Sequence, residues 1–191
     1  MKEDKFVWAD FKNDADYSLS YIYNQNIDFL FCYGKKFTID EDFILDMIQD
    51  LFCDLIKYRK TLSQTDNIRL YLMKSFRRKL LRGIENKRKF EKLDYDYNLK
   101  PEIVFSIEEE LIIDEEQSRR NEFISLGLKE LNARQREVIY YKFTLGYDYI
   151  QISEIMSITY DSARQLVSRG INSLRQFMSE NNFFLLLIYR R

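Results

Sequence analysis

The chain has 191 residues, enough for one large or two small domains, and 46% hydrophobic residues with one proline and five glycines favour helix almost throughout. A formal charge of −1 and a pI near 5.7 exclude a global field for polyanions, so any nucleic-acid contact rests on local clusters or on a partner that carries most of the affinity. With Cys32 and Cys53 as its only cysteines and no histidine, the chain offers no zinc site, no histidine base and no disulfide framework; no cofactor is expected, and a reducing cytoplasm is the natural compartment.

In the first 33 residues, Leu19, Ile22, Tyr23, Phe29, Leu30 and Tyr33 recur at three- and four-residue steps, which predicts one amphipathic helix with Asn13 and Asp14 as its caps. Trp8 and Phe11 precede it and are expected to fold back over the same core as packing residues. No signal peptide is expected at this end, and the one long apolar run, Phe183–Tyr189, falls far short of the ~20 residues that span a bilayer.

A second helix is expected after Thr38-Ile39-Asp40, with Ile44, Ile48, Leu51 and Leu55 as its buried stripe and Phe52 beside it. Asp46, Gln49, Asp50, Cys53 and Lys57 share the opposite face, either as a solvated surface or as a contact surface. The polar break Tyr58–Asp66 leads into a third helix with Leu72, Phe76 and Leu80 buried. Lys74, Arg77, Arg78 and Arg82 spread over its other side and are continued by Lys87, Arg88, Lys89 and Lys92, with only Glu85 and Glu91 opposing them. This is the strongest basic cluster in the chain. Beside a polar loop it suits a DNA backbone, and Thr61, Ser63, Gln64, Thr65, Asp66 and Asn67 could add hydrogen bonds.

Between Asp94 and Glu116 nine acidic residues face the single Lys100, and the only proline, Pro101, lies among them, so an acidic linker is expected over 94–114. A helix should start near Glu115, with Phe123, Leu126 or Leu128, and Leu131 facing a second core, and with Arg119-Arg120 on DNA or in solvent. From Leu131 to Arg175 three helices follow, the last two forming a helix-turn-helix: Tyr149, Ile152, Ile155 and Met156 give one short period, Ser157-Ile158-Thr159 break it, and a second period begins. In that last helix Ala163, Val167, Gly170 or Ile171, and Leu174 share one face. Asp161, Arg164, Gln165, Ser168, Arg169 and Asn172 are left outward, mostly able to hydrogen-bond base edges or phosphates, as on a recognition helix. The plain alternative is a helical hairpin with a solvated face. Beyond Phe177, the run Phe183–Ile188 must be covered, by the second domain or by another protein.

The blocks L-x-x-R-Q-R-E-V from Leu131, Gly146, Y-x-x-I-x-E-I-M-x-I-T from Tyr149 and S-A-R-x-L-x-x-R from Ser162 resemble the promoter-reading C-terminal domain of bacterial extracytoplasmic-function sigma factors. The chain departs from that pattern at Ser157, where glycine is frequent, and at Asp161 and Leu166, where basic or small residues are commoner. Upstream, D-M-I-Q-D-L-F at Asp46–Phe52 is similar to the family's D-L-V-Q-E-x-F, the segment that grips the clamp helices of RNA polymerase.

The resemblance implies an all-α chain of two small helical domains joined by an acidic linker, with a helix-turn-helix in the second. Residues 1–93 would bind the clamp through Asp46, Gln49, Asp50 and Lys57 and open the −10 element through Ser63, Gln64, Asn67, Lys74, Arg77, Arg78 and Arg82, the loop capturing an unstacked base. Residues 94–114 would thread the polymerase cleft; residues 115–178 would read the −35 element through Ser162, Arg164, Gln165, Ser168 and Arg169, leaving 179–191 as an apolar tail. The implied partners are core RNA polymerase, through its clamp and flap, promoter DNA, and an anti-sigma or other recruiting protein, with no membrane insertion. A stand-alone dimeric helix-turn-helix regulator is the alternative, but it has no need of D-M-I-Q-D-L-F followed by a basic helix. An enzyme is not expected, since histidine, a dense carboxylate cluster and a phosphate-binding glycine loop are all missing from the sequence.

Overall fold

The computed structural model describes residues 3–90 and 124–180, and every described element is helical. The chain divides into two compact units, Met1–Pro101 and Glu102–Arg191. The expected linker over 94–114, Lys92, the helix start near Glu115, Arg119, Arg120, Phe123 and the apolar run Phe183–Ile188 lie outside the described residues.

The first unit contains α1 (Asp4–Lys12), α2 (Asp16–Gly34), α3 (Glu41–Tyr58), a 3-10 turn (Arg59–Thr61) and α4 (Ile68–Phe90). Trp8 and Phe11 do pack in the core, but on a helix of their own, and Asn13 and Asp14 are not the caps of the helix that follows. Ala15 stands at the N-cap of α2 without a side-chain hydrogen bond. The reason is the reversal between the helices: Asp14 takes the left-handed conformation, φ 67°, which aspartate tolerates better than most residues, and its carboxylate turns outward to pair with Arg59.

α3 starts where expected, because the Asp40 carboxylate accepts the Phe43 N–H at 3.0 Å and Glu41 and Asp42 suit the positive end of the helix. The Lys87 ammonium, 2.5 Å from the same carboxylate, and the Phe43 N–H hold Asp40 below its usual carboxyl pKa. Ile44, Ile48, Leu51, Phe52 and Leu55 are all buried. They meet Leu72, Met73, Phe76 and Leu80 of α4, each 0% exposed, in a core shared with Trp8, Ile22, Leu30 and Tyr33. α2 comes so close to α3 that a Cβ on Gly34 would lie 2.6 Å from Ile44 Cγ2, so only glycine fits there.

In the second unit the helical residues 124–129 (α5) are followed by α6 (Ala133–Ile139), a π-helical turn (Tyr140–Thr144), α7 (Tyr149–Met156) and α8 (Tyr160–Glu180). Leu131 is buried, while Leu126 is 44% exposed, which leaves Leu128 as the inward choice of that pair. Capping boxes start α6 (Asn132 with Gln135) and α7 (Asp148 with Gln151). The π turn was not foreseen. Its Leu145 N–H reaches the Tyr140 carbonyl at 3.1 Å, and Gly146, φ 71°, then lets Tyr147 N–H return to the Tyr141 carbonyl at 2.9 Å.

The helix-turn-helix forms from α7 and α8 as the sequence predicts. Ala163, Val167 and Gly170 are the buried face of α8; Gly170 rather than Ile171 takes the inward position. Thr159 caps α8 by accepting the Ser162 N–H at 3.1 Å. Ser157 ends α7 in the left-handed region, φ 54°, ψ 50°, without being glycine. That conformation costs an L-residue about 1–2 kcal/mol, partly offset by the greater chain entropy glycine loses on folding. Ser157→Gly is therefore expected to stabilise the domain by roughly 0.5 kcal/mol and raise the midpoint of thermal unfolding slightly. A lowered midpoint in a calorimetric scan would contradict this account of the turn.

Candidate nucleic-acid interface

Three surfaces carry the residues that the sequence singles out. On α3, Asp46, Gln49, Asp50 and Lys57 are all exposed and recur at three-, four- and seven-residue steps opposite the buried stripe, so the helix gathers them on one face. Asp50 is tied to the neighbouring helix as well: Lys79 of α4 lies 3.9 Å from it and 2.7 Å from Asp54. Leu45 and Ile56, 46% and 43% exposed, flank the acidic stripe. With Tyr23 and Ile27 they line a shallow apolar groove between α2 and α3. Sequence reasoning missed this apolar margin; the signal was two aliphatic residues standing off the buried stripe of an otherwise polar face.

The second surface is a groove of about 570 Å³ between α3 and α4. Asp50, Asp54 and Tyr58 line one wall, and Tyr71, Arg78, Lys79, Arg82 and Asn86 the other. The structure therefore divides the basic cluster. Arg78 and Arg82, one turn apart, are exposed along the groove. Lys74 and Arg77 are half-buried and stand outside it, because their positions rotate away on α4. Lys79 is the cation the sequence reading left out, and Tyr71 is the missed aromatic. Burial pushes the Tyr71 hydroxyl above its ordinary pKa, while Arg78 and a hydrogen bond with the Ser63 side chain act against that rise.

At the groove's end runs the loop 62–67. Ser63 and Gln64 are exposed there. Asn67, expected to meet DNA, spends its side-chain oxygen on the first turn of α4, accepting the Leu70 N–H at 2.9 Å. Thr65 is likewise turned inward, its hydroxyl bonded to the Asn67 N–H and carbonyl at 3.1 Å each. The Trp8 indole N–H donates to the Ser63 carbonyl at 2.9 Å.

The third surface is the outer face of α8. Ser162, Arg164, Gln165, Ser168 and Arg169 are all exposed and fall on one side, opposite Ala163, Val167 and Gly170. Ser162 differs from the other four, since its hydroxyl oxygen accepts a 2.8 Å hydrogen bond from Thr159. An edge-on Tyr149–Tyr160 contact, 5.9 Å between ring centres, links the first turns of α7 and α8. The helix start is thus held firmly while the four long or polar side chains stay available. Two guanidiniums, an amide and a hydroxyl on this face can bond bases and phosphates of a major groove.

Among the described residues no helix is long and apolar enough to cross a membrane, and no three His, Cys, Asp or Glu side chains group as metal ligands. Residues 127–176 match the family model of sigma-70, region 4. No curated protein matches in sequence. Several solved structures are similar in fold, two of them as follows. One is CnrH in complex with the cytosolic domain of CnrY, with a TM-score of 0.60 and 13% identity over 94% of this chain and 99% of that one. The other is the sigma factor RpoE in complex with the anti-sigma factor NepR from Bartonella quintana, with a TM-score of 0.58 and 18% identity over 84% of this chain and 96% of that one. The helix-turn-helix of α7 and α8 lies inside the residues matched to sigma-70, region 4, and a helical unit with the D-M-I-Q-D-L-F segment precedes it in a fold shared with these proteins.

Proposed function

We propose that this chain is a sigma factor of the extracytoplasmic-function kind, which binds core RNA polymerase through the outer face of α3, opens the −10 element with the loop 62–67 and the groove side of α4, and reads the −35 element with α8. The observation that carries the reading is the exposed row Arg164, Gln165, Ser168 and Arg169 on the last helix of a domain matched to sigma-70 region 4. On this reading residues 1–93 grip polymerase and melt DNA, 94–114 are the linker, 115–178 read the upstream element, and the chain works in the cytoplasm without chemistry of its own. Asp46, Gln49, Asp50 and Lys57 serve the clamp, with Leu45 and Ile56 beside them. Arg78 and Arg82 serve opened DNA in the groove, and Lys74 and Arg77 only its flank. Both similar structures hold a second protein, one of them an anti-sigma factor, and an inhibitory protein partner is proposed here on that basis.

With a net charge of −1 and few cations on either DNA-facing surface, the chain alone is expected to bind duplex promoter weakly and with a shallow salt dependence. Gel-shift and footprinting with and without core polymerase test this. Specific protection only with polymerase, lost when Asp46→Lys and Gln49→Lys reverse the α3 face, supports the reading. Tight, two-fold symmetric protection by the chain alone would instead assign a dimeric regulator.

A further inference from the structure

The contacts of α1 reach beyond its own core. Asp4, Trp8 and Lys12 are spaced by four residues and so form one stripe along the helix. All three are bonded to main-chain atoms of the segment 62–68. The Asp4 carboxylate accepts the Ile68 N–H at 2.8 Å, the Trp8 indole N–H donates to the Ser63 carbonyl at 2.9 Å, and the Lys12 ammonium donates to the Leu62 carbonyl. Arg59 Nη2 donates to Asp14 Oδ2 at 2.6 Å, which fastens the reversal after α1 to the turn before the loop. The Trp8 ring, 0% exposed, lies 4.8 Å from the Tyr71 ring.

Trp8 as a core residue alone would need only its ring. Here its polar atom and that of Lys12 end on the loop backbone, that of Asp4 ends on the first residue of α4 just beyond it, and none occupies the Gln64 side chain. A short loop held in this way has lost its conformational freedom before a ligand arrives, so less binding energy goes into ordering it. We infer that α1 is the positioning element of the promoter loop, with Trp8, Lys12 and Asp4 setting the backbone on which Ser63 and Gln64 meet an unstacked base of single-stranded DNA. This rests on the proposed role of the loop at the −10 element.

Trp8→Phe keeps a ring in the core and removes the N–H; Lys12→Met keeps the stem and removes the ammonium. Each is assayed with core polymerase on a promoter library, beside Ser63→Ala and Gln64→Ala, with polymerase affinity and thermal unfolding measured on the same proteins. Losing one such hydrogen bond should lower opening of the preferred −10 sequence roughly two- to tenfold. It should also flatten preference at the −10 position that the loop variants flatten, with −35 preference and polymerase affinity unchanged. If α1 only packs, its variants lower opening of all sequences by one factor and keep the −10 profile, which overturns the inference while the loop variants still support the function. If the loop variants themselves leave the −10 profile intact, the loop's role falls, and the role of α1 with it.

Discussion

Phe76→Ala is expected to cost the first unit about 3–5 kcal/mol, enough to unfold much of it at ordinary temperature. Phe76 is 0% exposed in the middle of α4, its ring 6.2 Å from Tyr33, with Leu72 and Leu80 one turn away on either side and equally buried. Neither the stiff Ile44 and Ile48 nor the rings around it can collapse into the space of a lost phenyl group. Trp8 is the only tryptophan, so its emission during denaturant unfolding follows this unit. The Trp8 midpoint should fall sharply in Phe76→Ala, and a shift worth less than about 1 kcal/mol would mean that the core is not packed around α4 as described.

Arg136→Met should be the most damaging polar replacement in the second unit, costing about 2–3 kcal/mol. Arg136 is 8% exposed, and its Nη1 donates to the Leu131 carbonyl at 2.6 Å and the Lys129 carbonyl at 3.2 Å, satisfying the chain where α5 ends and α6 begins. Methionine fills most of the volume but leaves those carbonyls unsatisfied beside buried Leu131. Thermal unfolding followed by helical ellipticity checks it. An unchanged melt would show that water replaces the guanidinium freely and that Arg136 is not a structural residue.

Legibility differed from element to element for physical reasons. α3 could be read closely because a capping aspartate and a clean stripe of Ile44, Ile48, Leu51 and Leu55 are both local signals. α8 was legible in the same way, and its outward row followed from the buried one. The break before α2 was expected at Asn13 and Asp14, but not that the nine residues of α1 ahead of it are helical, nor that Asp14 makes the reversal in the left-handed conformation and leaves the N-cap to Ala15. Tyr140–Thr144 carries nothing in its side chains that separates a π turn from an α turn. The capping role of Asn67 was readable, since a polar residue before an apolar helical run has that signature, but the resemblance drew attention to DNA instead. On α4 the basic residues were counted along the sequence when the angle around the helix decides: Arg78, Lys79 and Arg82 line the groove, and Lys74 and Arg77 do not. No pattern in the sequence announces that α1 touches the loop, because the partners stand 50 to 64 positions apart.

Lys79, shared between Asp50 and Asp54, makes two faces of the first unit into one electrical circuit. On the proposed reading, a cation from polymerase on Asp50 would compete with the longer of the two Lys79 pairings, leaving that ammonium on the groove wall with Asp54 as its one remaining partner of the two, where a phosphate would meet it. Linkage makes the exchange mutual: whatever DNA gains from polymerase, polymerase gains from DNA by the same factor. Between exposed side chains such an exchange is worth at most about 1 kcal/mol, so it biases the order of assembly without dictating it.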